Sequence, residues 1–120
     1  MNAKKTVFLA FLLSITGALS LPAHADTRSF RSDAVEVDGT KFWLPSTFVV
    51  KKGDKVKIHI VSKVPGPNSV HGFAIDDYGI QEIADTKGKD VEFIASKVGI
   101  FPIRCHLHEA HIGGQLIVQE

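Results

Sequence analysis

The chain's single cysteine and three of its six histidines fall between Arg104 and Leu116, in the stretch RCHLHEAHIGGQL. Cys105, His108 and His111 recur at intervals of three. Along a strand that interval would send successive donors to opposite faces. In a tight loop it can turn all three toward one point. Gly113 and Gly114 are expected to let the chain reverse into the last strand. A further donor must come from elsewhere, and His71, 34 residues before Cys105, is the natural candidate. A thiolate with two imidazoles in a plane and a weak axial ligand is the arrangement of copper electron-transfer sites. A Cys-His₃ zinc site is chemically allowed by the same donors. HEAH is one residue short of the zinc-protease helix pattern and lies in a glycine-flanked loop. A Cys105 nucleophile with His108 as its base has no oxyanion hole that can be read from the sequence. His106, next to Cys105, is expected to point away from the site, and His59 to be solvated.

The elements that must position these donors are strands. KVKIHIV puts Val56, Ile58 and Ile60 on one face and Lys55, Lys57 and His59 on the other, and DVEFIA alternates in the same way. STFVVKK, HGFAI, GIFPIRC and GQLIVQE read as further strands, separated by the turn signals KKGD, VPGPN, DDYG and DTKGKD. YGIQEIADT is expected to hold a helical turn or an irregular loop. The prolines of VPGPN stiffen the loop that delivers His71 to the start of its strand. Short strands spaced by turns predict an all-β sandwich.

The first residues stand apart. MNAKK carries two lysines, TVFLAFLLSITGALSL is apolar and uncharged, and AHA has the small-x-small form of a cleavage site. This predicts a secretory signal peptide over residues 1–25, cleaved after Ala25, and one domain over 26–120. Loss of Lys4 and Lys5 leaves 12 basic against 13 acidic residues. No basic stripe with interleaved aromatics points to nucleic acid. One cysteine cannot form an internal disulfide, so in an oxidising compartment it is a ligating, reactive or buried thiol.

On these residues the chain resembles the cupredoxins, the small blue-copper proteins, whose ligand loop runs Cys, His, Met. The amicyanin spacing, Cys-x-x-His-x-x-Met with Gly two positions later, is met by Cys105, His108, His111 and Gly113, with His111 in place of Met. FWLPSTFVVKKGDKVKIHIV is similar to the family's opening, and HGFAI to the strand that carries its first histidine ligand. The binuclear-copper domains of nitrous oxide reductase and cytochrome oxidase are also similar, but they need two cysteines. A single cysteine rules out a thiolate-bridged binuclear centre. The resemblance implies a single cupredoxin-like Greek-key β-sandwich with one copper ion, cycling between Cu(II) and Cu(I), on His71, Cys105, His108 and an axial His111. Imidazole is a stronger axial donor than thioether, which implies a green or red site of lowered potential. Red-copper nitrosocyanin also lacks the Met; its carboxylate ligand has no clear counterpart here, Glu82 and Glu109 being the residues that could reach.

Three functions follow from the resemblance. They are one-electron transfer with a redox partner protein, periplasmic copper tolerance with a copper-transport partner, and an enzyme-like role at an open coordination position. The mature chain is expected to be an exported, periplasmic monomer that keeps no stable membrane insertion.

Overall fold

The alternation read along KVKIHIV becomes burial in the computed structural model, which describes residues 17–18, 25–67 and 69–120. The expected signal peptide lies almost wholly outside the described residues. Among the described residues no helix is long and apolar enough to cross a membrane.

Among the described residues nine strands run β1 (Thr27–Val37), β2 (Thr40–Leu44), β3 (Thr47–Lys51), β4 (Lys55–Ser62), β5 (His71–Ile75), β6 (Ile80–Ala84), β7 (Lys89–Ile94), β8 (Gly99–Ile103) and β9 (Gly114–Gln119). One sheet has the order β2-β1-β4-β7, with β1 parallel to β4. The other has the order β3-β9-β8, with β3 parallel to β9. The β5-β6 hairpin joins this second sheet through a reciprocal backbone pair, Ala74 N–H to Arg104 O at 2.9 Å and Arg104 N–H to Ala74 O at 3.0 Å. The two inner faces interdigitate as in a β-sandwich. Val56, Ile58 and Ile60 of one sheet meet Phe48, Val50, Leu116 and Val118 of the other. Trp43 and Phe73 close the core near the ligand loop, with ring centroids 5.3 Å apart and ring planes at 87°.

Three elements differ from the sequence reading. IQEIA, expected as a turn or loop, is strand β6, preceded by one 3₁₀ turn at Asp76–Tyr78. β1 and β2 are absent from the strands read in the sequence, although β1 is the longest strand among the described residues. Its inward positions are Phe30, Ser32 and Ala34, small or polar for the most part, so its alternation is faint. It leads into β2 through Asp38-Gly39, both at positive φ, the two-residue turn that suits the right-handed twist of a hairpin.

At the end of the sandwich away from the ligand loop, Asp54 is a buried carboxylate with its partners in place. It accepts the backbone N–H of Lys51 at 2.9 Å and of Asp26 at 3.3 Å, and the Arg28 guanidinium lies 3.5 Å away. The Lys51 hydrogen bond is the main reason its pKa lies below the usual aspartate value.

Candidate metal centre

The Ala74–Arg104 pair sets the register that builds the site. In the antiparallel run beyond it, Gly72 comes to lie opposite Cys105 and His106. The Gly72 N–H donates to Cys105 Sγ at 3.1 Å. A Cβ on Gly72 would stand 2.5 Å from His106 Nδ1 and 2.7 Å from its backbone nitrogen. Only glycine lets these two backbones close, and the thiol receives its hydrogen bond because they do. His106 therefore packs over Gly72 and stands outside the three-residue donor group, its Nδ1 buried without a partner.

The ligand loop leaves the sheet after this contact. Ile112 N–H donates to Lys41 O at 2.8 Å, which ties the loop's far side to β2, and His111 N–H donates to His108 O at 3.2 Å. Gly113 and Gly114 do not serve by adopting a left-handed turn, since neither has a positive φ. Side chains there would instead collide with the backbone carbonyls of Ile103 and Ser46. Close packing, not chain reversal, is what requires glycine at both positions.

His71, Cys105 and His108 each bring a donor atom to within 4.8 Å of the other two. Cys105 Sγ stands 3.8 Å from His108 Nδ1. His71 and Cys105 are buried, while His108 reaches the surface beside exposed Leu107 and Ile112. His111 stands just outside this three-residue group, with its ring centroid 5.1 Å from that of His71 and 5.6 Å from Trp43. Its Nδ1 lies 3.0 Å from Ile112 O. A carbonyl can only accept, so Nδ1 carries the proton and Nε2 offers its lone pair. That is how a protein commonly orients a metal-binding histidine.

Buried polar atoms are nearly always hydrogen-bonded. Here both ring nitrogens of His71 and Nε2 of His111 are buried without a partner, beside a thiol. The donor set, one soft sulfur with imidazoles, fits a transition metal such as copper or zinc. Burial, reinforced by the His111 and His108 rings, depresses the His71 pKa to about 4. Burial likewise lowers that of His111. The metal-free fold thus holds His71 as a neutral lone-pair donor at pH 7.

Other candidates stay apart. His59 pairs with Asp90, Nδ1 to Oδ1 at 2.6 Å, on the outer side of β4. Glu82 pairs with Lys89, and Glu109 is exposed; neither belongs to the three-residue group. Arg104, between the Ala74 pairing and Cys105, makes a two-pronged contact to Asp76, at 2.7 Å and 3.0 Å. Sequence reasoning missed Trp43, Gly72 and this Arg104–Asp76 clasp. Of the three, only Gly72 left a signal, in the HGF of HGFAI.

No protein-family profile matches the chain. Its fold is nevertheless shared with solved structures. A copper-binding protein determined by NMR in its apo form aligns at a TM-score of 0.57 and 24% identity, over 78% of this chain and 88% of that one. The purple cupredoxin of Nitrosopumilus maritimus aligns at 0.52 and 16% identity, over 74% of this chain and 98% of that one. The copper nitrite reductase of Nitrosomonas europaea aligns at 0.63 and 18% identity, over 78% of this chain. The chain spans only 41% of that reductase's length.

Proposed function

The chain has the cupredoxin fold, and from that premise we propose that it is an exported protein that binds one copper ion and transfers single electrons. His71, Cys105 and His108 would hold the ion, with His111 as the fourth ligand. The observation that carries this reading is the convergence of three donors within 4.8 Å, two of them buried and the third exposed. Bound copper would supply the Cu(II)/Cu(I) couple. Cys105 would bind as its thiolate, with the Gly72 N–H directed at the sulfur. His71 would keep its side of the site dry. His108, rimmed by Leu107 and Ile112, offers the electron a short path to a redox partner protein docked on that apolar edge. Two of the aligned structures are described as copper-binding and as a cupredoxin, which supports copper over zinc. Cleavage after Ala25 would place the mature domain in the periplasm or outside the cell.

A second reading, copper tolerance, is favoured by the unpartnered nitrogens of His71 and His111, which leave the pocket ready to take up an ion. Rapid, reversible electron exchange at a stable potential supports the carrier. Ready release of copper to a chelator or a copper-transport protein supports the tolerance role.

Titration of residues 26–120 with Cu(II) tests the site itself. An intense visible thiolate band is expected at one copper per chain, and Cys105→Ser is expected to abolish it. A colourless complex, or equal binding by Cys105→Ser, would remove the copper assignment and make zinc the next metal to try. His111→Met is expected to move the optical and EPR signature toward an ordinary blue site. An unchanged spectrum would show that His111 does not bind.

A further inference from the structure

A cavity of about 400 Å³ opens from solvent onto the histidines. His71, His108 and His111 form one part of its wall; Glu36, Lys41 and the Pro65–Pro67 loop form another. Cys105 does not reach it, so the sulfur lies behind the imidazoles as seen from the opening. An ion held by these donors would fill a small part of this space. A water molecule takes about 30 Å³, so room remains for a small ligand and several waters. The volume falls within the range of small-molecule sites.

Lys41 and Glu36, 3.5 Å apart, cancel each other among the lining residues, so the charge that decides what enters is that of the metal site. Cu(II) bound to one thiolate and neutral imidazoles keeps a net charge of +1, whereas Cu(I) keeps none. Within its coordination sphere Cu(II) accepts a fifth ligand in tetragonal geometry. We propose that this cavity admits a small coordinating anion to the imidazole side of the metal, with Lys41 attracting it and Glu36 opposing it. The proposal rests on the copper reading above and adds a ligand to it. The anion prefers the oxidised site, so its binding lowers the reduction potential. Each tenfold preference corresponds to about 59 mV for a one-electron couple.

Sodium azide is the probe, added to the Cu(II)-loaded protein and followed by EPR and by the thiolate band. A saturable change in the hyperfine pattern is expected, with the thiolate band shifted but retained. Lys41→Met is expected to weaken azide binding about fivefold and Glu36→Gln to strengthen it by a similar factor, as single charges near the ligand would. Ala110→Phe, which adds bulk to the cavity wall, is expected to slow or block the change. An intact thiolate band that azide does not move overturns the anion site alone. So does equal azide affinity in the Lys41→Met and Glu36→Gln proteins. Absence of the thiolate band before azide is added overturns the copper reading, and the anion site with it.

Discussion

Each end of the sandwich buries polar side chains, and the two ends treat them differently. Around Asp54 the fold supplies what the buried charge needs: two backbone N–H groups and the Arg28 guanidinium. Around His71 it supplies almost nothing, since three ring nitrogens on two buried histidines have no partner. Both ends lie on the same strands. The N-terminal end of β9 abuts the ligand loop, and its last residue, Gln119, receives the Lys52 N–H near Asp54. A buried group satisfied from within is a structural device. A buried group left unsatisfied costs about 1–3 kcal/mol. Trp43 Nε1, Ser62 Oγ and His106 Nδ1 are also buried without a partner, so what separates site from scaffold is the convergence of unpartnered nitrogens on the Cys105 thiol, not their orphaning alone.

The largest expected effect of this contrast is in the acid stability of the metal-free protein. Unfolded, His71 takes up a proton near pH 6.5; folded, it stays neutral down to about 4. Between those values the unfolded chain binds more protons, so stability falls as the pH drops from 6.5 to 4 and this contribution falls no further below that. The loss is of the order of 3 kcal/mol for His71, and His111 adds to it in the same direction. Asp54 acts in a lower window. Its pKa is depressed by folding, so its contribution is intact above 3.8 and is lost as the pH falls through its folded value. Urea midpoints of the metal-free protein between pH 3 and 8 should therefore show two separate declines. His71→Leu should remove most of the upper one and Asp54→Asn the lower. A single decline that neither substitution alters would break the comparison.

At neutral pH the same two ends should respond to truncation with opposite signs. His71→Leu replaces unpartnered nitrogens with apolar volume, and it should leave the metal-free protein as stable as before or more stable, by about 1–2 kcal/mol. It should also abolish copper binding. Asp54→Ala orphans the Lys51 and Asp26 amides and should lower the melting temperature by several degrees, with the copper spectrum intact. Thermal denaturation with and without copper reads both. If His71→Leu destabilised the metal-free protein as strongly as Asp54→Ala, the histidine cluster would be structural.

Much of this was legible in the sequence because it is local. The three-residue spacing of Cys105, His108 and His111 sits in one loop, and period-two alternation marks β4, β7 and β9. What stayed hidden depends on pairings between distant segments. β1 runs parallel to β4, a partner that nothing within TRSFRSDAVEV announces, and its inward Ser32 and Ala34 mute the alternation. The Asp38-Gly39 turn was the one local sign of that hairpin. Glu36 and Lys41 reach the cavity only because the β1-β2 hairpin folds back over the ligand loop. β6 reads as a loop because its IQEIA exposes Ile83 and buries only Ala84. The need for glycine at residue 72 comes from His106, across a backbone approach that only the folded register creates.

His59 gives the smallest expected effect and the sharpest control. It differs from His71 in position, not in chemistry: its ring lies on the outer side of β4, paired with Asp90 and packed over Gly88. Exposed polar pairs of this kind contribute about 0–1 kcal/mol. His59→Ala should therefore shift the urea midpoint only slightly and leave the thiolate band, its intensity and the one-copper stoichiometry unchanged. His59 stands on the outer side of β4 and outside the group formed by His71, Cys105 and His108, so the substitution removes an imidazole without touching the site. If copper stoichiometry fell in His59→Ala, the convergence of His71, Cys105 and His108 would no longer define where the copper binds.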